Sequence, residues 1–203
     1  MELLLVRHAE PERVPEGIGP ADPGLTPAGR AQAAALAEWL RDEEIDRVVT
    51  SPLRRAVETA APVAAVHGLV PEVVDDLAEY DRYATSYIPV EELRATGDER
   101  WHAMAEGRLR ELAGVDPAAF RARVVRAVES LIRAHPGGRV VAVCHGGVIN
   151  AYLGHILGIE RALWFEPYYA SVARVAASRD GVRSVRSLNE RPELILARLR
   201  GRL

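Results

Sequence analysis

The chain has 203 residues, enough for one domain with a sizeable buried core. Its formal charge of −3, with no clustered basic run, argues against a nucleic-acid partner. All 26 basic residues are arginine, which removes lysine Schiff-base chemistry and the lysine of an NTP-binding P-loop; one cysteine, Cys144, removes intrachain disulfides and cysteine-rich metal sites.

The opening MELLLVRHAEP has too short an apolar stretch and too early an acid for a signal peptide, and nothing is long enough to cross a membrane. A cytoplasmic protein with no membrane partner is expected. Leu3, Leu4, Leu5 and Val6 read as a strand buried on both faces, followed without a turn by Arg7 and His8. In open α/β sheets that strand end is where ligands bind. A loop rich in proline and glycine follows, up to Gly24. Thr26 then reads as an N-cap with Pro27 at the first helical position, and Ala33, Leu36, Ala37 and Leu40 recur at helical spacing.

A second strand, residues 47–50, leads into SPLRRAVETAAPV. Here Ser51 is expected to cap and Pro52 to open a helix, with Arg54 and Arg55 closing its first turn. A helix N-terminus with an added guanidinium suits an oxyanion. The helix should end at His67–Gly68. A third strand at 71–74 runs into DDLAEYD. Residues from about 80 to 115 show no strand pattern and read as a partly helical excursion over the site. Tyr83, Tyr87, Trp101 and His102 could line a cavity there, but aromatics in such an excursion more often make its own small core, which is the expectation here. Asp116 and Pro117 open another helix, with Phe120, Val124, Ala127, Val128 and Leu131 on one face.

The third buried strand, residues 140–144, ends in His145-Gly146-Gly147, with glycines that would let a ligand approach the backbone amides. Cys144 reads as core filler, and His135 and His155 as helix-end residues. Two weaker strands, around 171–176 and 182–188, are joined across Asp180-Gly181. Three strands therefore deliver Arg7, His8, Arg54 or Arg55, and His145 to one sheet edge. Arginines would repel a metal cation, but they fit a phosphoryl dianion. An imidazole among them can attack phosphorus, and a carboxylate of DDLAEYD can protonate the leaving oxygen.

These stretches, with LTPAGRAQAAALA, resemble the histidine phosphatase superfamily, the phosphoglycerate-mutase-like proteins, over nearly the whole chain. The resemblance implies an α/β three-layer sandwich, a mostly parallel sheet flanked by helices, as a single domain over 1–203. It implies His8 as the phosphorylated nucleophile, and Arg7, Arg55 and His145 as ligands of the phosphoryl oxygens. Arg55 is selected over Arg54 because it directly precedes Ala56. Glu79 matches the proton donor, with Asp75, Asp76 and Asp81 as neighbouring rivals, and Gly146 falls in the substrate site.

The expected activity is that of a phosphomonoesterase of the histidine acid phosphatase type, acting on a small phosphorylated substrate without metal or other cofactor. The runner-up is a phosphoglycerate-mutase-type phosphotransferase; a non-catalytic phospho-ligand module ranks third. Ala9 stands where the family usually has glycine, Val14 where many members have asparagine, and YDRYATSY replaces the frequent G-x-W-E-G. The basic stretch that holds a second phosphate in cofactor-dependent mutases is not visible after Glu79. These departures leave the phosphoryl-binding residues intact and fall on the leaving-group side.

Overall fold

The apolar run at the start of the chain forms β1 (Glu2–Arg7), in which Leu3, Leu4, Leu5 and Val6 are fully buried. Successive side chains of a strand point to opposite faces, so this run needs cover on both. Leu3 and Leu5 pack with α6 (Pro117–Ala134) and α7 (Gly146–Leu157), while Leu4 and Val6 pack with α1 (Pro27–Leu40) and α2 (Arg54–Val66). Between these helix layers lie β2 (Arg47–Thr50), β3 (Glu72–Val73), β4 (Arg139–Cys144), β5 (Val172–Ala177) and β6 (Arg183–Glu190). The computed structural model describes residues 1–199, and its six-stranded sheet has the order β3-β2-β4-β1-β5-β6. The strands from β3 to β1 are parallel; β5 runs antiparallel to both β1 and β6. Among the described residues no helix is long and apolar enough to cross a membrane.

Register explains why distant stretches of sequence meet. Arg7 pairs with Cys144, and Thr50 with Val143, so β1, β4 and β2 end level with one another. The next residues, His8, His145 and Ser51, therefore leave the sheet side by side. His8 N–H donates to the Cys144 carbonyl and Ser51 N–H to the Val143 carbonyl, each at 2.9 Å.

Thr26 and Asp116 cap α1 and α6 through their side chains, each followed by proline as the sequence predicts. The Ser51–Pro52 pair behaves differently. Helix α2 begins at Arg54, not Pro52, and Arg54 N–H donates to Asp22 of the proline-rich loop. Ser51 is drawn elsewhere, as described below. The third strand is only the residue pair Glu72–Val73 at an exposed sheet edge. The 80–115 excursion contains α3 (Val90–Thr96), α4 (Glu99–Ala105) and α5 (Leu109–Ala113), joined to the proline-rich loop by a β-bridge between Val14 and Tyr87. Near the C-terminus, α8 (Pro192–Leu199) adds a helix that no strong periodicity announces.

Candidate active site

Every expected site residue lies at or beside one cavity of about 370 Å³ at the C-terminal ends of β1, β2 and β4. Arg7, His8, Arg55, Glu79 and Gly146 line it; His145 does not. His145 is fully buried beside His8, with ring centroids 5.1 Å apart.

His8 is oriented by its own backbone. Its Nδ1 lies 2.8 Å from the Ala9 carbonyl, which can only accept, so Nδ1 carries the ring proton and Nε2 keeps its lone pair. Burial, then the charges of Arg55 and Arg7, holds the imidazole well below its usual pKa, and thus neutral. Ala9 N–H donates to Thr59 Oγ1 of α2, and Thr59 in turn donates to the Arg55 carbonyl, which ties the loop of His8 to the helix of Arg55.

The two arginines are buried and held by carboxylates. Arg7 Nη1 donates to Glu91 Oε1 at 2.8 Å and to the Pro167 carbonyl at 2.6 Å, with its guanidinium 3.9 Å from the Tyr169 ring centroid. Arg55 Nη2 donates to Asp81 at 2.8 Å and lies over Tyr87, while its buried Nε has no partner. Arg54, one residue earlier, is exposed and paired with Glu58. The helix register thus separates the two arginines that composition alone left equivalent.

Glu79 is buried, whereas Asp75 and Asp76 are exposed on a short 3-10 turn before it. Asp81 lines the cavity but is committed to Arg55. Glu79 Oε2 accepts from Gly147 N–H at 2.7 Å and Oε1 from Tyr80 N–H at 3.0 Å. Those bonds favour the carboxylate, yet burial and the neighbouring Asp81 outweigh them and push the carboxyl up to about 7. Each oxygen retains a second lone pair to hold the proton.

Three contributors carry weaker signals in the sequence. Ser51, expected to cap α2, places its hydroxyl 2.7 Å from His145 Nε2 and also accepts from Leu53 N–H. Gly147, expected to admit a ligand to its amide, gives that amide to Glu79 instead. Asn150 accepts from Trp164 and Phe165 N–H and donates to Gly146 and Phe165 carbonyls, fixing the loop after α7 against the cavity. A buried Asn four residues after Gly146 on a helix is the one clue to that role. Of the aromatics, Tyr87 and Trp101 line the cavity, while Tyr83 and His102 are exposed outside it. Among the described residues no group of three or more His, Cys, Asp or Glu is arranged to hold a metal ion.

This geometry can be set beside known proteins. Residues 3–190 match the family model of the histidine phosphatase superfamily, branch 1. The chain belongs to the histidine phosphatase superfamily. It is 32% identical over 164 residues to phosphoserine phosphatase 1 of Hydrogenobacter thermophilus, covering 79% of this chain and 78% of that one. It is also 32% identical to phosphoglycerate mutase-like protein 4 of Arabidopsis thaliana, over 74% of this chain and 68% of that one. Among solved structures, mycobacterial glucosyl-3-phosphoglycerate phosphatase in complex with VO3 superposes with a TM-score of 0.74 at 26% identity, covering 93% of this chain and 98% of that one. The chain is thus an α/β enzyme of a superfamily whose members here include phosphatases and mutase-like proteins.

Proposed function

We propose that the protein is a metal-independent phosphomonoester hydrolase that works through a phosphohistidine on His8. The observation that carries this reading is the Nδ1 bond to the Ala9 carbonyl, which leaves a neutral, buried imidazole with its Nε2 lone pair free beside two arginines. In the first step Nε2 forms a bond to phosphorus while the ester P–O bond breaks, and Glu79 gives its proton to the departing alkoxide. In the second, the Glu79 carboxylate takes a proton from water as its oxygen attacks phosphorus; the N–P bond breaks, and phosphate leaves. Histidine returns neutral and Glu79 protonated, so the cycle closes.

Catalysis of phosphoryl transfer is mainly positioning and charge stabilisation. Arg7 and Arg55 supply the charge, with the unpartnered Nε of Arg55 as a donor for a phosphoryl oxygen. His145 supplies its own buried, unpartnered Nδ1. In this reading the Ser51 hydroxyl donates to Nε2, which puts the ring proton on Nδ1 as a second donor for a phosphoryl oxygen. Such unpaired buried groups are rare in folded proteins, and two on residues packed around His8 fit a ligand with several acceptor oxygens.

A mutase would need further cations for a second anionic group. The remaining arginines of the cavity are Arg100, forked on Asp98, and Arg161, bound to the Ala105 carbonyl. Phosphate release from a panel of phosphomonoesters, measured beside phosphoryl exchange between glycerate positions, tests the choice. Release without exchange supports the hydrolase; exchange without release contradicts it.

A further inference from the structure

The excursion over the site is built unlike a small domain with its own interior. Of the large apolar side chains described on α3, α4 and α5, Leu93 alone is buried, and it too lines the cavity. Ile88, Trp101, Met104 and Leu112 line the same cavity, as do Leu163 and Phe165 from the loop after α7. An apolar wall of this extent, continuous with a polar floor, is the usual build of a small-molecule site with one apolar and one polar end. The floor is the site of His8, Arg7, Arg55 and Glu79, so whatever lies against the wall is joined to the phosphoryl group.

The charges near that junction decide its chemistry. The acids lining the cavity are Glu79, Asp81 paired with Arg55, and Glu166 paired with Arg94, and its aromatics include Tyr80 and Tyr87. Of the arginines lining the cavity none is left for a carboxylate next to the ester carbon, because Arg7 and Arg55 face the phosphoryl oxygens. Arg100 and Arg161 are exposed and already bonded, as described above. We infer that the site takes phosphomonoesters of bulky apolar alcohols, whose carbon skeleton displaces water from the wall formed by Ile88, Leu93, Trp101, Met104, Leu163 and Phe165. This inference rests on the phosphatase reading and adds the class of leaving group to it.

The test is a homologous series of n-alkyl phosphates from ethyl to octyl, whose leaving alcohols differ little in acidity, run beside O-phosphoserine and 3-phosphoglycerate. Burying one methylene contributes a factor of up to about fourfold, so kcat/KM should climb by roughly two- to fourfold per methylene until the cavity is filled. The longer esters should then exceed both acidic substrates by about a hundredfold or more on the same scale. In a Trp101→Ala, Met104→Ala double variant the slope with chain length should fall. Hydrolysis that ignores chain length, or prefers O-phosphoserine or 3-phosphoglycerate, overturns this inference and leaves the phosphatase reading standing. No hydrolysis of any ester overturns both.

Discussion

The amide of Gly147 donates to Glu79 Oε2 at 2.7 Å, and a β-carbon on Gly147 would overlap Oε1 of the same carboxyl and lie 2.9 Å from its Cδ. Glycine here makes room for a carboxyl to rest on a helix N-terminus. The backbone of Gly147 is that of α7, with no positive φ, so alanine suits the chain and only the carboxyl must move.

Gly147→Ala should therefore fold normally and act as a displaced-acid variant. General acid help is worth about 10²–10⁴-fold. Hydrolysis of alkyl phosphates should fall within that range, while the burst of phenol from an aryl phosphate with an acidic phenol is largely spared. Equal loss of both rates, with an unchanged melting temperature, would count against Glu79 as proton donor.

The pH dependence follows from two opposite shifts. In the proposed mechanism His8 must be neutral to attack, and burial with two arginines keeps it neutral at all but acidic pH. Glu79 must be protonated to donate; with its carboxyl raised to about 7, it is protonated below that value and loses its proton as pH rises through it. For alkyl phosphates kcat/KM, which reports the free enzyme, should fall on an alkaline limb centred near 7, with the acid limb of His8 below its ordinary 6.5. Glu79→Gln should lower the rate and abolish the alkaline limb. Persistence of that limb in the variant would assign it to another group.

Arg55 is buried on Asp81 and Tyr87, and Arg54 is exposed on Glu58. Loss of a buried, charge-assisted phosphoryl contact costs roughly a hundredfold or more in rate. Loss of an exposed ion pair changes little. Steady-state kinetics of Arg55→Ala and Arg54→Ala should show that order, and the reverse order would mean that Arg54 reaches the substrate.

Full activity should survive prolonged treatment with a strong chelator, because the proposed charge on the phosphoryl group is balanced by guanidiniums. Activity lost to the chelator and restored by a divalent cation would overturn that account.

What the sequence reveals and conceals follows the range of the forces involved. Strands β1 and β4 are legible because apolar residues run unbroken into Arg7–His8 and His145, and buried parallel strands require such runs. Thr26–Pro27 and Asp116–Pro117 are legible because capping is local. Ser51–Pro52 carries the same local signal, yet Ser51 contacts His145, nearly a hundred residues away, and α2 starts late. Glu79 is distinguished from Asp75 and Asp76 by burial, which depends on the start of α7, where Gly147 N–H donates to its carboxyl, and on α6, whose Arg123 holds the Ala78 carbonyl, and not on its neighbours in sequence. The helices α3, α4 and α5 escape periodicity because each is at most two turns long and has little buried face to mark.

The most direct test of the account is the fate of the phosphoryl group itself. Wild-type protein quenched during turnover of a labelled phosphomonoester should carry an acid-labile, alkali-stable label on the peptide containing His8. The His8→Ala variant should carry none and should not turn over substrate. Label that persists in His8→Ala, or that maps to a residue other than His8 in the wild type, would contradict the covalent mechanism.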